Sequence, residues 1–349
     1  MNDINIGGYV IGEHKKPFII AEMSGNHNQS IERAMQIVKA AADAGADAVK
    51  LQTYTPDSLT IDHKGGLFDI NDKNSLWYGR NLYELYQEAR TPYEWHKPLF
   101  DYAKELGLVC FSTPFDEQAV DMLEELGAPC HKIASFENNH LPLLRKVAKT
   151  GKPVIMSTGI STLSDIDDSV NTLKESGCKE LVLLKCTSTY PATPENTNVL
   201  TIPHMREMFH CEVGLSDHTM GVGVAVAAVA LGARVIEKHF CLSRAEGGVD
   251  SAFSLEPQEF RMLVDETKRA WQSIGQVYYG ILPDEKNSRR FKRSLYIIKD
   301  VKAGEVFTEE NVRIIRPGDG IQPKYLDMIL GKSARAGFKK GTPITWEML

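Results

Sequence analysis

The stretch EVGLSDHTMGVGVAVAAVALGARVIEKHF, Glu212 to Phe240, contains the repeating unit of most of the chain. A β-rich apolar run, EVGLSDH (212–218), ends in polar residues, a helical stretch follows, and a second run, VIEKHF (235–240), ends the same way. Short apolar runs alternating with helical segments read as βαβ units with buried strands. Six earlier runs share the pattern: FIIAEMS (18–24), AVKLQTY (48–54), VCFSTPF (109–115), HKIASFE (131–137), VIMSTG (154–159) and LVLLKCTS (181–188). Amphipathic segments such as 31–44, 93–106 and 164–175 lie between them, and 257–274 follows the last. Thr91 before Pro92, and Ser161 or Thr162 before the fifth helix, are suitable helix caps.

Eight strand-then-helix units predict a closed (β/α)8 TIM barrel over residues 1–280, close to the roughly 250 residues that fold takes. An open doubly wound sheet is the alternative, but no GxGxxG follows the first run, which disfavours its dinucleotide-binding form. The polar stretch ILPDEKNSRRFKR (281–293) reads as a solvated linker. Residues 294–349 read as a small C-terminal domain, in which DVKAGEVF (300–307) and FKKGTPI (338–344) each set a turn Gly between apolar runs. Thr308 looks like a helix start. A unit of that size has a marginal core by itself and is expected to lean on another surface.

Composition narrows the function. Of 349 residues 42% are hydrophobic and 25% charged, and the formal net charge is −6. That is the profile of a globular protein rather than a nucleic-acid binder, which would carry a basic face. Met1–Lys16 lacks a basic start followed by an apolar core, and no apolar run approaches the ~20 residues of a membrane helix. The six cysteines are scattered with no CxxC pair. A reduced, cytoplasmic protein with no membrane or nucleic-acid partner is expected.

The C-terminal ends of barrel strands form the rim on which such folds build active sites. Three sets of residues fall there. Lys50, Thr113, Lys132, Ser135, Ser157 and Ser216 come from five different strands and suit an anion, with two ammonium groups for charge and hydroxyls for orientation. Taken singly, a lysine in an apolar strand can snorkel to the surface, and small polar residues can simply cap a barrel. His218 and His239 end neighbouring strands, so their imidazoles can share a divalent metal and leave positions open for substrate. Either alone reads as a satisfied polar residue, and His27 is a further rim residue. Glu22, Glu137 and Asp250 could transfer protons or hold the lysines as ion pairs.

At these residues the chain resembles the sialic acid synthase family, the phosphoenolpyruvate-dependent nonulosonate synthases. The likeness rests on AEMSGNHNQS (21–30), VKLQT (49–53), STPF (112–115), KIASFE (132–137), STGIS (157–161), GLSDHT (214–219) and EKHF (237–240). RPGDGI (316–321) in the tail is similar to the antifreeze-like (SAF) domain that ends these synthases. The resemblance implies condensation of phosphoenolpyruvate with an amino-sugar aldehyde and water, giving a nine-carbon sugar acid and phosphate. LQTYTPDSLT (51–60), TPYEWH (91–96), KCTSTYP (185–191) and DSAFSL (250–255) resemble members whose sugar is a 6-deoxy-2,4-diacetamido hexose. Ser188, and Asn26-His27-Asn28-Gln29, depart from the N-acetylneuraminate pattern; both are expected near the sugar and point away from N-acetylmannosamine. A legionaminic-type diastereomer stays open.

The resemblance further implies that His218 and His239 ligate the metal, Mn²⁺ foremost with Mg²⁺ or Co²⁺ as substitutes. Phosphoenolpyruvate would be held by Lys50, Thr113, Lys132, Ser135, Ser157 and Ser216, with Glu22 near the metal and the reacting carbons. Glu137, Ser188, Tyr190 and Asp250 would face the sugar. Arg316 would reach it from the tail of a partner chain in a domain-swapped homodimer. Rival readings are a pyruvate aldolase, either metal-dependent or using a Schiff base at Lys132, and a sugar-binding tail carried on a scaffold barrel.

Overall fold

The structure, a computed structural model, describes residues 2–349 as two compact units, with the division between Gly275 and Gln276. The first unit is a closed barrel of eight parallel strands paired in sequence order. They are Phe18–Glu22, Ala48–Thr53, Val109–Pro114, His131–Ile133, Val154–Ser157, Leu181–Cys186, Glu212–Asp217 and Val235–His239. The last strand closes on the first with His239 opposite Glu22, and Glu22 in turn lies opposite Lys50. The expected TIM barrel is therefore present.

The side-chain period of two along each strand sorts the barrel's contents. One parity, including Ile19, Val49, Cys110, Met156, Leu183 and Ile236, faces the helices in the main hydrophobic core. The other, including Phe18, Ile20, Ala48, Phe111, Leu184 and Val235, forms a second core with Ile4, Ile6 and Ile11. Those three isoleucines belong to an N-terminal hairpin, Ile4–Ile6 paired with Tyr9–Ile11. Each large side chain so buried contributes roughly 1.5–3 kcal/mol, enough to dry the barrel from below. Gly214 is required by this packing, since a Cβ there would lie 2.2 Å from the Val235 carbonyl oxygen and 2.7 Å from Leu184.

Helix boundaries follow local chemistry. The helix Leu163–Glu175 begins at Thr162, whose hydroxyl accepts from the Asp165 N–H, while the Asp165 carboxylate accepts from the Thr162 N–H at 2.8 Å. Thr91 does not cap: the helix Tyr93–Glu105 starts from Pro92, and the Thr91 hydroxyl is buried without a partner. Between the second strand and that helix runs an excursion holding the short helix Pro56–Leu59, a 3-10 turn at Gly66–Phe68 and the helix Leu82–Ala89.

The second unit pairs Ser294–Ile297 antiparallel with Val312–Ile315 around a core of Leu295, Ile297, Phe307, Val312, Ile329 and Ile344. The polar stretch 281–293 lies in this unit as two exposed 3-10 turns, Pro283–Glu285 and Asn287–Phe291. Thr308 starts no helix. Its N–H donates to the Asn311 side chain at 2.8 Å, closing a turn that feeds the strand at Val312. All six cysteines are buried free thiols. Among the described residues no helix is long and apolar enough to cross a membrane.

Candidate active site

The interior parity turns polar at the strands' C-terminal ends. Glu22 follows Ile20, Lys50 follows Ala48, Thr113 follows Phe111, Ser157 follows Ile155, and Glu237 and His239 follow Val235. Of these, Lys50, Ser157, Glu237 and His239 line the floor of a cavity of about 410 Å³, with Glu22 and Thr113 against Lys50 behind it. Lys185, Asp217 and Lys238, also near the C-terminal ends of their strands, do not line it. Lys238 instead pairs with Asp217 at 2.6 Å, fully buried.

The floor is a chain of four alternating charges. Lys50 Nζ lies 2.7 Å from Glu22 Oε2 and 3.3 Å from Glu237 Oε1, and donates to Thr113 Oγ1 at 3.3 Å. Lys132 Nζ lies 3.8 Å from the same Glu237 oxygen and donates to Ser157 Oγ at 2.7 Å. Ser216 Oγ donates to Glu237 Oε1 at 3.3 Å. Glu237, present in the sequence motif EKHF but given no role there, thus joins both lysines and a serine. Its parity with Val235 and His239 was the available signal.

Burial pushes the Glu22 carboxyl up to about 7, with Lys50 opposing and Glu237 assisting. Burial also pushes Glu237 up, but Lys132 and Lys50 outweigh it and hold that carboxyl below its usual range. Burial lowers Lys132, an effect that the attraction of Glu237 only partly offsets. Burial thus weakens the charge of Glu22 and of Lys132 alike, and an anion bound beside Lys132 would favour its ammonium form.

Ser135 and Ser157 join Lys50, Lys132 and Ser216 in lining the cavity, whereas Thr113 sits behind Lys50. Ser135 Oγ accepts from the Gly159 N–H at 3.1 Å. A Cβ on Gly159 would come within 2.2 Å of Ser188 Oγ and 2.7 Å of Ser135 Oγ, so this close approach needs glycine. Glu22 is wholly buried beneath the floor, its other oxygen accepting from Gln52 Nε2 at 3.1 Å.

The two imidazoles stand 5.3 Å apart, centroid to centroid. His218 Nδ1 is 2.9 Å from the Thr187 carbonyl oxygen, which assigns a proton to Nδ1 and leaves Nε2 a free lone pair in the neutral ring. His239 is kept neutral first by burial and then by the positive neighbours His218 and Lys50. Its Nδ1 is buried without a hydrogen-bond partner, 3.8 Å from Asp250 Oδ2. Burial lowers His218, but Cys186 and the Thr187 carbonyl outweigh it and hold its pKa above the usual imidazole value. A cation would therefore displace the Nε2 proton of its charged form. His239, neutral and with an orphaned nitrogen, is ready to ligate a divalent cation. Among the described residues no group of three or more His, Cys, Asp or Glu side chains is arranged to hold one. Two protein nitrogens with open positions is the arrangement that fits.

Above the floor, Glu137, Tyr190 and Asp250 line the cavity. Burial pushes Glu137 up to about 7, and its Oε2 has no partner. Tyr190 stacks on His218 at 4.6 Å, and Ser24 donates a short hydrogen bond to Asp250. Ser188 is not a lining residue; it lies against Gly159 and 3.8 Å from Cys186 Sγ. Asn26, His27, Asn28 and Gln29 also stand off the cavity, contrary to their expected place by the sugar. Asn26 ties to the Phe240 carbonyl and Gln29 to those of Glu88 and Arg90, while His27 packs on Trp95 at 5.4 Å. Arg316 follows the strand Val312–Ile315 of the second unit. The cavity's apolar side, with Leu59, Ile70, Trp77 and Leu82, comes from the excursion after the second strand and was not foreseen.

Residues 37–279 match the NeuB family and residues 292–349 match the SAF domain. Pseudaminic acid synthase of Campylobacter jejuni subsp. jejuni serotype O:2 is 48% identical over 329 residues, covering 94% of this chain and 95% of that protein. Pseudaminic acid synthase of Helicobacter pylori is 43% identical over 330 residues, covering 94% and 96%. The crystal structure of N-acetylneuraminic acid synthetase from Leptospira borgpetersenii, in complex with citrate, superposes with a TM-score of 0.72 at 30% identity, over 82% of this chain and 95% of that one. The barrel, the appended SAF domain and these likenesses agree: the chain belongs to the NeuB family.

Proposed function

We propose that the chain is a phosphoenolpyruvate-dependent nonulosonate synthase. It joins phosphoenolpyruvate, 2,4-diacetamido-2,4,6-trideoxy-L-altrose and water into pseudaminic acid and phosphate. The observation that carries the reading is the floor: two ammonium groups, each with its own hydroxyl, share Glu237 beside a pair of facing histidines. A substrate with two anionic groups is suited by two such ammonium–hydroxyl pairs, and a pyruvate aldolase would need only one. The 48% and 43% identity to proteins named for pseudaminic acid supports this sugar.

Lys50 with Thr113, and Lys132 with Ser135, Ser157 and Ser216, would hold the phosphate and carboxylate. A divalent metal at His218 and His239, Mn²⁺ foremost, would supply Lewis-acid polarisation of the aldehyde oxygen. Carbon 3 of phosphoenolpyruvate attacks the aldehyde carbon, water adds at carbon 2, and phosphate departs by C–O cleavage. Glu22, poised at about 7, takes the water's proton. The ammonium groups stabilise the charge on departing phosphate without reorganising, and each such donor is worth roughly 10²–10³ in rate. Glu137, Asp250 and Tyr190 would contact the sugar, as would Arg316 of the partner subunit in a homodimer with exchanged tails, working in the cytoplasm.

The deciding measurement is phosphate release from phosphoenolpyruvate with Mn²⁺, offering 2,4-diacetamido-2,4,6-trideoxy-L-altrose or N-acetylmannosamine. Release with the first alone is expected. Release with the second alone would overturn the sugar assignment; release with neither makes the legionaminic precursor the next sugar to offer, and failure there too would overturn the synthase reading.

A further inference from the structure

The helix Leu82–Ala89 has an apolar stripe that packs into no core. Leu82, Leu85, Tyr86 and Ala89 follow the i, i+3, i+4, i+7 spacing of one helix face. Leu85 and Ala89 are buried and Tyr86 meets Tyr54 edge-on at 6.0 Å, yet none of the four joins the three hydrophobic cores of the described residues. All four line the active-site cavity instead. Glu84, Gln87 and Glu88 on the opposite face are exposed.

The rest of the excursion follows the same division. Leu59, Ile70 and Trp77 turn into the cavity, while Asp57, Asp62, Lys64, Asp72 and Lys73 are exposed. No charged side chain between residues 54 and 90 lines the cavity. Two ties hold this wall in place. The Trp77 indole donates to the Val249 carbonyl at 2.9 Å, next to Asp250. Asn81 caps the helix by accepting from the Tyr83 and Glu84 N–H groups, and donates to the His63 carbonyl at 2.8 Å. Trp77 meets Tyr190 at 5.6 Å, and Tyr190 meets His218 at 4.6 Å, so one ring links the indole to the histidine. The wall thus shares the cavity with the reacting end and joins it through Tyr190.

We infer that this wall seats the methyl groups of the sugar, the C6 methyl foremost, and that it makes the enzyme select a 6-deoxy-2,4-diacetamido hexose over its 6-hydroxyl counterpart. The inference rests on the synthase reading above and adds the residues that discriminate. An aldehyde reacting at the histidines and lysines directs the far end of its carbon chain to the wall. A methyl against Leu59, Ile70, Trp77 and Leu82 covers apolar surface, whereas a hydroxyl there gives up water and finds no free polar atom, since the Trp77 N–H already donates to Val249. An apolar pocket rejects an added hydroxyl by about 10²-fold at most, so the selection is moderate in size.

The test measures kcat/KM of the full-length enzyme with Mn²⁺ for the 6-deoxy sugar and its 6-hydroxyl counterpart. Wild type is compared with Ile70→Thr, Leu82→Thr and the volume-conserving Leu82→Met. Wild type should favour the 6-deoxy sugar by about 10- to 100-fold, mainly through KM. Either Thr variant should shrink that ratio several-fold with the KM for phosphoenolpyruvate unchanged, and Leu82→Met should keep it. An unchanged ratio in soluble, active Thr variants, or no preference in wild type, would overturn the wall's role while leaving the synthase intact. Wild type that releases phosphate with neither sugar would overturn the proposed sugar substrate and the inference with it.

Discussion

Glu22 shows how one residue's position sets its chemistry. It continues the interior parity of Phe18 and Ile20, so the rule that packs the barrel also buries a carboxyl beside Lys50. Glu22→Gln should lower kcat by about 10²–10⁴ and remove the rising limb of kcat/KM near pH 7. Glu137 is also pushed up to about 7, so Glu137→Gln is the control: a limb surviving in Glu22→Gln but absent in Glu137→Gln would reassign the base. The histidine pair gives the second expectation at this scale. His218→Ala or His239→Ala should each abolish stoichiometric Mn²⁺ binding in calorimetry with the circular dichroism spectrum unchanged. Binding retained in either variant would remove that residue from the metal site.

At the scale of elements, the barrel supplies rigid charge and the excursion supplies shape. Strand ends hold the lysines through hydrogen bonds to other strands, such as Lys132 to Ser157 at 2.7 Å. The wall hangs on fewer contacts, and Asn81 carries several, contacting Asp69 Oδ1 at 2.9 Å besides its capping bonds. Asn81→Ala should cost about 1 kcal/mol in stability for the lost cap. It should also raise the KM for the sugar several-fold while leaving that for phosphoenolpyruvate unchanged. Equal losses for both substrates in steady-state kinetics would mean that the excursion supports the whole site rather than one end of it.

For the whole molecule, the buried titratable groups pull stability in opposite directions. Burial depresses His27 and His96 to about 4, so the unfolded chain takes up protons first and stability is lost as pH falls from 6.5 towards 4. For His96 burial wins over a hydrogen bond that favours the charged form: Nδ1 lies 3.1 Å from the Pro92 carbonyl, while Nε2 lies 2.7 Å from Thr53 Oγ1. Glu22 and Glu137 act the other way. Their folded-state values are raised to about 7, so stability is fully present below 4.5 and lost as pH rises through 7. Glu137→Gln removes one such loss. Its melting temperature should therefore gain on wild type as pH rises from 4.5 to 8, by no more than the equivalent of about 3 kcal/mol. A pH-independent difference between the two melting curves would show that Glu137 is not held protonated by the fold.

What could be read in sequence was what repeats. Eight apolar runs of strand length, with polar residues at their ends, require a barrel with a charged rim, because a strand's period of two leaves each residue one of two faces. The same period distinguishes Glu22, Lys50 and Glu237 from the outward Asp217 and Lys238. Only the tertiary structure decided which parity faces inward, since both are apolar along the lower strand. It also decided that Glu237 joins both lysines, that Thr91 is buried instead of capping, and that residues 26–29 tie loops together beside the cavity. The wall was hidden for a related reason. The stripe Leu82, Leu85, Tyr86 and Ala89 has the periodicity of any core-facing helix, and periodicity records which face is apolar but not what that face covers. Whether it meets a core or a cavity depends on where the chain's other segments come to rest.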